Sequence, residues 1–571
     1  MRTKYCNHIS ITDINTTVIL CGWVNRVRNF GNFIFVDLRD CSGIIQIFFH
    51  SKNSSVFKKA MQLKNEFCIQ IVGVVQSRSK KNENKKLNTG LLEIVAKKLK
   101  IFNVSKKLPI DFNNIYEDVI KLKYRYLDLR CLNMLQKFKI RHEITYYIHQ
   151  YMHKNNFLNI ETPILTKSTP SGAKDYLIES RLHKKKYYAL SQSPQLFKQL
   201  LMIAGFDRYY QIVKCFRDED LRSDRQPEFT QVDFEVSFVN EIKIMEITEK
   251  LITEIWKNFL NISLKKFSVL SFSESIKKYG SDKPDLRNPM ELIDLPHSFF
   301  KYFNYNNIQN YDIKIRTTTL LIKNGIIKLK DHNIQSYNHI IQKNNDILYI
   351  YIYIQDISLK KYKIINIKNL LNAKTINEIV HRTNAKNGDI ILIISGEYNT
   401  INKLCNILRE KIGYDTNLIQ KIWKPTWIID FPMFKKNKDG SFSAIHHPFT
   451  APKNCNITDL KNNPSSVLSN SYDLVMNGYE IGGGSVRIHD VLMQKTIFEI
   501  LNLTYSSNMD ALNFFINALE YGTPPHAGIA LGLDRIIMLL TNSTNIKDVI
   551  AFPKTNTATC LMSNAPNKFI Y

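Results

Sequence analysis

The sequence predicts a multidomain protein: a small β-barrel at the N-terminus, then a region of helices and strands that includes an antiparallel strand pair, with a stretch of different texture from about 285 to 420. Three observations carry this reading. Five strand-length runs and one short helical stretch fill the first hundred or so residues. A period-two pair of strands lies among helical segments near the middle of the chain. From about 285 to 420 the composition shifts to Ile, Asn and Lys. At 571 residues the chain is long enough for several separate cores.

In the first region the expected strands are Val18–Arg28, Phe33–Asp40, Gly43–His50, Phe67–Arg78 and Leu91–Phe102, with turns at Gly31-Asn32 and Cys41-Ser42-Gly43. Val56, Ala60, Met61 and Leu63 are spaced for a helix over Ser54–Asn65. A helix between the third and fourth of five strands is the order of an OB-fold barrel. Such barrels bind single-stranded nucleic acid through aromatic platforms, polar base readers and basic loops. Phe35, Gln46, Arg28, Arg78 and Glu93 are the candidate readers, although alternation alone leaves open which face Phe35 occupies.

A basic connector over 106–130 precedes a helix whose apolar positions are Ile140, Ile144, Ile148, Tyr151 and Met152, and then strand-like Phe157–Pro163. Thr169–Asp175 is a turn-rich loop. In Ser191–Lys198, Ser193 can cap a helix with Pro194 at its first position, which puts Gln195 and Lys198 on one face. Tyr210–Phe216 and Phe229–Phe238 read as antiparallel strands joined by a charged loop carrying Arg217, Asp218, Glu219, Arg222, Arg225 and Gln226. On the second strand Gln231, Asp233 and Glu235 form an acidic face, which costs self-repulsion unless cations or a polar substrate meet it.

The 285–420 segment holds alternating strands and helices and no catalytic cluster. Beyond it, His446 and His447 are adjacent; on a strand they would face opposite ways, which argues against a shared metal. Asp473 and Glu480 are hard oxygen donors suited to Mg²⁺ carrying phosphates. Arg487 supplies a second cation to oppose Lys198. His526–Leu540 is a strand of alternating small residues, with room for a flat ring, followed by a helix with Arg535 at its start.

The charge, 78 Lys plus Arg against 51 Asp plus Glu, is +27 and favours a polyanionic partner, nucleic acid before membrane. The bias toward Lys, Asn and Ile weakens that inference. Nine scattered cysteines without a Cys-x-x-Cys pair fit a reducing compartment without structural zinc. With no apolar leader and no run near the length of a membrane helix, the expectation is a soluble cytoplasmic protein with no membrane partner.

Phe216-Arg-Asp-Glu219 with Gln231-x-Asp-x-Glu235 resembles motif 2 of the class II aminoacyl-tRNA synthetases. The Arg222–Gln231 string, Ser191–Lys198 and Cys21–Arg26 with Phe35–Asp40 are similar to the bacterial-type aspartyl group. The helix before Pro163 resembles motif 1, and His526–Leu540 motif 3. The resemblance implies an OB-fold anticodon-binding domain at 1–105, a hinge at 106–130, an α+β catalytic domain with a mixed antiparallel sheet in two parts at 131–284 and 421–571, and a bacterial-type inserted α+β domain at 285–420. It implies ATP as substrate, Mg²⁺, L-aspartate, the tRNA for aspartate and a homodimer formed through motif 1. Catalytic roles fall on Arg217, Arg535 and Glu480. Ser171, Gln195, Lys198, Arg217, Asp233, His446 and Arg487 would bind aspartate. Arg217, Asp218, Glu219, Gln226, Glu480, Gly532, Leu533, Asp534 and Arg535 would bind ATP, and Asp473 and Glu480 the metal. Phe35, Gln46 and Glu93, with Arg28 and Arg78, would read the anticodon. One position departs: the group usually has Glu where Ser171 stands, and that Glu faces the substrate ammonium. Ser171 brings no charge, so weaker closure on aspartate is expected.

Overall fold

The computed structural model describes residues 1–110, 116–169, 173–296, 314–344, 346–366, 371–503 and 509–568. These form two compact units, Met1–Arg141 with Lys547–Tyr571 and His142–Ile546.

In the first unit, β1 (Thr17–Asn29), β2 (Phe33–Arg39), β3 (Ile44–His50), β4 (Cys68–Ser77) and β5 (Leu92–Asn103) close a barrel in the order β1-β2-β3-β5-β4. The helix α1 is shorter than its apolar spacing suggested, Ser54–Ala60. Alternation fills the barrel: Ile34, Val36 and Leu38 of β2 and Ile45, Ile47 and Phe49 of β3 are buried, while residues between them face outward. Gly22 and Gly73 permit close strand approach, because a Cβ there would meet the Arg39 and Val95 carbonyl oxygens at 2.3 and 2.6 Å.

The second unit is built on an eight-stranded sheet. Its order is Ser268–Ser271, Pro425–Ile429, Ser471–Met476, Tyr479–Val486, His526–Gly532, Glu228–Ser237, Arg208–Phe216 and Leu158–Asn159. The two outermost pairings are parallel and the inner ones antiparallel. Glu241–Leu260 covers one face with Ile244, Ile247, Leu251, Ile255 and Trp256, and Trp427 Nε1 donates to Glu249 at 2.8 Å. The Leu132–Lys154 helix buries Ile144, Ile148, Tyr151 and Met152, as its spacing indicated, and Tyr151 donates to the Ile247 carbonyl at 3.0 Å.

Between Tyr279 and Pro425 lies a second sheet of five strands. Leu292–Asp294, Ile315–Ile322, Ile390–Glu397, Leu348–Asp356 and Lys361–Ile365 pair in that order, with apolar clusters on both faces. Arg409 fastens this region to its own N-terminal flank. Fully buried, it donates to the carbonyls of Met290 (2.6 Å), Asp285 (2.9 Å) and Asn288 (2.5 Å) and lies over the Tyr279 ring.

Candidate active site

The Arg208–Phe216 and Glu228–Ser237 strands pair from Arg208↔Val236 to Phe216↔Glu228, as the alternation required. Their acidic face is not solvated. Gln231, Asp233 and Glu235 are all buried beneath the Gln195–Ile203 helix. Pro194 occupies the N-cap position of that helix and no side chain caps it; Ser193 does not take the role expected of it. Lys198 on its inner face is 2% exposed.

Register sets the floor of the site. Asp473, Gly483, Ala530 and Asp233 sit opposite one another across four neighbouring strands. The two carboxylates are therefore about 14 Å apart at Cα, at roughly 4.8 Å per strand, with only Gly and Ala between them. One row along, Ser485, Gly528 and Glu235 align. Gly528 cannot carry a side chain, since a Cβ would stand 1.9 Å from Glu235 Oε2. Above this floor is a cavity of 570 Å³.

One end of the cavity is an ion cluster. Lys198 Nζ donates to Asp233 Oδ1 at 2.6 Å and lies 3.1 Å from Glu235 Oε2. Arg487 grips Glu235 with Nε to Oε1 at 2.7 Å and Nη2 to Oε2 at 3.1 Å. Its Nη1 donates to His447 Nε2 at 2.7 Å. The two cations expected to wait for a substrate carboxylate thus already share Glu235. Burial raises the Asp233 carboxyl despite Lys198. For Glu235 burial also raises, but Arg487 and Lys198 outweigh it and hold the carboxyl at about 2. Burial, reinforced by Arg487, drives His447 well below its ordinary value, so it stays neutral and accepts. Gln195 also lines the cavity, and its buried Nε2 has no partner among the described residues.

The other end is mixed in charge. Arg535 Nη1 donates to the Glu480 carbonyl at 2.7 Å, and its Nη2 lies 3.1 Å from Asp224. Burial would raise Glu480, but Arg535, Lys283, His446 and Arg217 hold it below the carboxylate range. Asp473 is raised by burial, and His446 Nε2 stands 3.3 Å from its Oδ1. Both histidines border the cavity because Ile445-His446 forms a bend, not a strand, so the alternation argument does not apply. Arg217 also lines the cavity, with its guanidinium 5.0 Å over the Phe229 ring and its charge acting on Glu480. Glu219 pairs with Arg225 at 2.8 Å, and Gln226 and Gly532 also line the cavity.

Three expected residues are placed differently. Leu533 is core, and Asp218 is held through its own N–H to the Lys174 carbonyl. Asp534 borders the cavity but turns its carboxylate to the Thr230 backbone N–H at 2.7 Å. Ser171 lies outside the described residues. Asp282, Lys283 and Asp224 line the cavity but were not singled out from sequence; Lys283 Nζ is 3.8 Å from Glu480. Their only signal was position, since Lys283 belongs to the flank of the Ile-, Asn- and Lys-rich segment.

On the barrel, Phe35 settles on the outer face. Gln46 and Glu93 are already joined, Gln46 Nε2 donating at 2.8 Å, and Arg28 donates to Asp37 at 2.7 Å and Gln46 at 3.1 Å. Arg78 is buried, with Nε on the Leu92 carbonyl and Nη2 without a partner among the described residues.

A family model described as tRNA synthetases class II (D, K and N) matches residues 117–556. The chain belongs to the class II tRNA synthetases. A second model, the OB-fold nucleic acid binding domain, matches residues 18–102 of this synthetase. Curated relatives include an aspartate–tRNA ligase of Buchnera aphidicola subsp. Acyrthosiphon pisum (strain Tuc7), 55% identical over 99% of this chain and 97% of the relative. Another, from Buchnera aphidicola subsp. Baizongia pistaciae (strain Bp), is 50% identical over 100% of both. The asparaginyl-tRNA synthetase of Pyrococcus horikoshii, solved with asparaginyl-adenylate, shares the fold at a TM-score of 0.60 and 18% identity, covering 97% of this synthetase and 98% of that chain.

Proposed function

We infer that this chain joins L-aspartate to its tRNA in two ATP-dependent steps. In the first, an oxygen of the aspartate α-carboxylate forms a bond to the α-phosphorus of ATP. The bond from that phosphorus to the bridging oxygen of the β-phosphate breaks, giving aspartyl-adenylate and pyrophosphate. In the second, a hydroxyl of the tRNA terminal ribose takes the acyl group, its proton leaves, and AMP departs. Two anions meet in the first step, so the site needs fixed positive charge more than an acid–base pair.

The observation that carries the choice of aspartate is the cluster of Lys198, Arg487, Asp233 and Glu235 at one end of the cavity. With both carboxylates ionised it is neutral when empty. A substrate ammonium meeting Asp233, and a side-chain carboxylate meeting Lys198 and Arg487, would leave three cations against three carboxylates. Asparagine would leave one positive charge uncompensated among buried side chains, a mismatch that discriminates strongly. Arg217, in the cavity wall, bridges the α-carboxylate and the α-phosphate, a task suited to a planar guanidinium. Arg535 meets the outer phosphates.

Asp473 and Glu480 fit a Mg²⁺ that travels with ATP. A Cβ on Gly483 would be 2.8 Å from Asp473 Oδ1 and 3.9 Å from Glu480 Oε1, so both carboxylates converge on one backbone opening. They are two donors only, and no group of three or more His, Cys, Asp or Glu suited to a metal exists among the described residues; phosphate oxygens must complete the shell. Bound there, Mg²⁺ would neutralise phosphate charge. The barrel reads the anticodon, 285–420 is an insertion outside the chemistry, and the Leu132–Lys154 helix is the homodimer element. No helix among the described residues is long and apolar enough to cross a membrane.

Aspartate-dependent exchange of pyrophosphate into ATP, with asparagine and lysine as comparators, followed by charging of tRNA, tests the reading. Exchange with aspartate alone is expected. Equal exchange with asparagine would overturn it.

A further inference from the structure

The outer face of the barrel is ordered in rows. Asp37, Gln46 and Glu93 are directly opposite one another on β2, β3 and β5; Phe35, Phe48 and Val95 make the next row; Phe33 and His50 the one beyond. Rows two residues apart lie roughly 6.8 Å apart along the strands. In the first row Arg28 donates to both Asp37 and Gln46, and Gln46 donates onward to Glu93. The other two form one continuous aromatic surface. Phe48 tilts against Phe35 at 5.2 Å and stacks on Phe33 at 5.7 Å and 27°, while His50 meets Phe33 edge-on at 4.9 Å. Phe30, 66% exposed, closes the outer side with its ring 6.0 Å from Phe35.

The barrel does not need these rings. Its interior is filled by the alternate residues of the same strands, with Ile34, Val36, Ile45 and Ile47 at 0% exposure. A ring set on the water side of a complete barrel is unfavourable until something flat covers it. Resting on the reading that this barrel binds the anticodon loop, we propose that Phe33 and His50 form a second stacking station for an unpaired base flanking the triplet. The occupant is single-stranded RNA because the surface is continuous with the polar row and with Arg28, which stands 6.0 Å over Phe35. Rings serve any base, so the station adds affinity and holds the loop open without reading sequence.

The test uses the full chain and tRNA transcripts. Phe33→Ala with His50→Ala is expected to raise the tRNA KM roughly tenfold, the scale of one lost base–aromatic stack, with little change in kcat at saturating tRNA. Phe33→Trp keeps a ring on the station and restores the KM. A transcript abasic at the flanking nucleotide should lose affinity for the wild type and lose little more for the double variant, because both changes remove one contact. Fully additive losses for every flanking position, or an unchanged KM, overturn the station. Phe35→Ala separates the two levels: if it weakens tRNA and the double variant does not, only the second station falls. If neither matters, the barrel reading falls with it.

Discussion

Lys198 sits between two carboxylates with 2% of its surface exposed. Removing it as Lys198→Met strands Asp233 and Glu235, and a broken buried ion network costs about 3–5 kcal/mol. The urea midpoint should fall accordingly, and the kcat/KM ratio for aspartate over asparagine should drop at least about tenfold. Equal losses for both amino acids would remove Lys198 from side-chain recognition. Arg217 behaves differently, because it stacks on Phe229 at the cavity wall and anchors no core. Arg217→Ala is expected to slow adenylate formation by a factor of a few hundred, the scale of one lost transition-state contact, while stability stays put. Single-turnover adenylate synthesis reads this directly, and a near-normal rate would reject the role. Glu235 gives a pH signature. Its folded carboxyl titrates at about 2 against an ordinary 4.5, so its contribution is complete above about pH 4.5 and is lost as pH falls through about 2. The stability difference between wild type and Glu235→Gln should therefore shrink across that window. A difference constant from about pH 5 to about pH 2.5 would mean that Glu235 is not held ionised.

At the scale of elements, period-two alternation placed β2, β3 and the Glu228–Ser237 strand to within a residue or two, because one face of each packs differently from the other. It could not show that both faces of Glu228–Ser237 are covered, since burial of Asp233 and Glu235 depends on cations from a helix and a strand distant in sequence. Nor could it place the 281–290 loop, whose position is set by long-range contacts. Arg409 holds three of its carbonyls, and a Cβ on Gly280 would meet the Asn402 oxygen at 2.4 Å. That clamp presents Lys283 to the phosphate end of the cavity. Its side chain is 38% exposed, so Lys283→Met should fold normally. Loss of one charge-assisted phosphate contact should raise the ATP KM about tenfold and leave the aspartate KM unchanged. An unchanged ATP KM, or a lowered requirement for Mg²⁺, would make Lys283 a counter-ion of Glu480 instead.

Over the whole molecule, the residues lining the cavity run from Thr166 to Ile546, and the barrel's outward rows lie between Phe33 and Val95. The cavity and the barrel's outward rows therefore occupy separate stretches of sequence. The charge of +27 cannot assign the RNA contacts, because lysines are spread along the chain. Removing residues 1–105 can. The barrel has its own closed sheet and apolar core, from Cys6 and Ile9 through Leu99, so its removal takes a whole core away and severs the Arg130–Glu66 pair to the rest of the Met1–Arg141, Lys547–Tyr571 unit. All of the cavity's lining residues remain. The truncated chain should exchange pyrophosphate into ATP with an aspartate kcat/KM within about twofold of the full chain, since activation involves no RNA. Its tRNA KM should rise at least about a hundredfold, because each lost base–aromatic stack is worth about 1–3 kcal/mol and the polar row goes with the rings. A cooperative thermal transition in the truncated protein guards against trivial misfolding. Charging at the full-length KM would show that the barrel does not read the anticodon, and that specificity for the tRNA resides in 106–571.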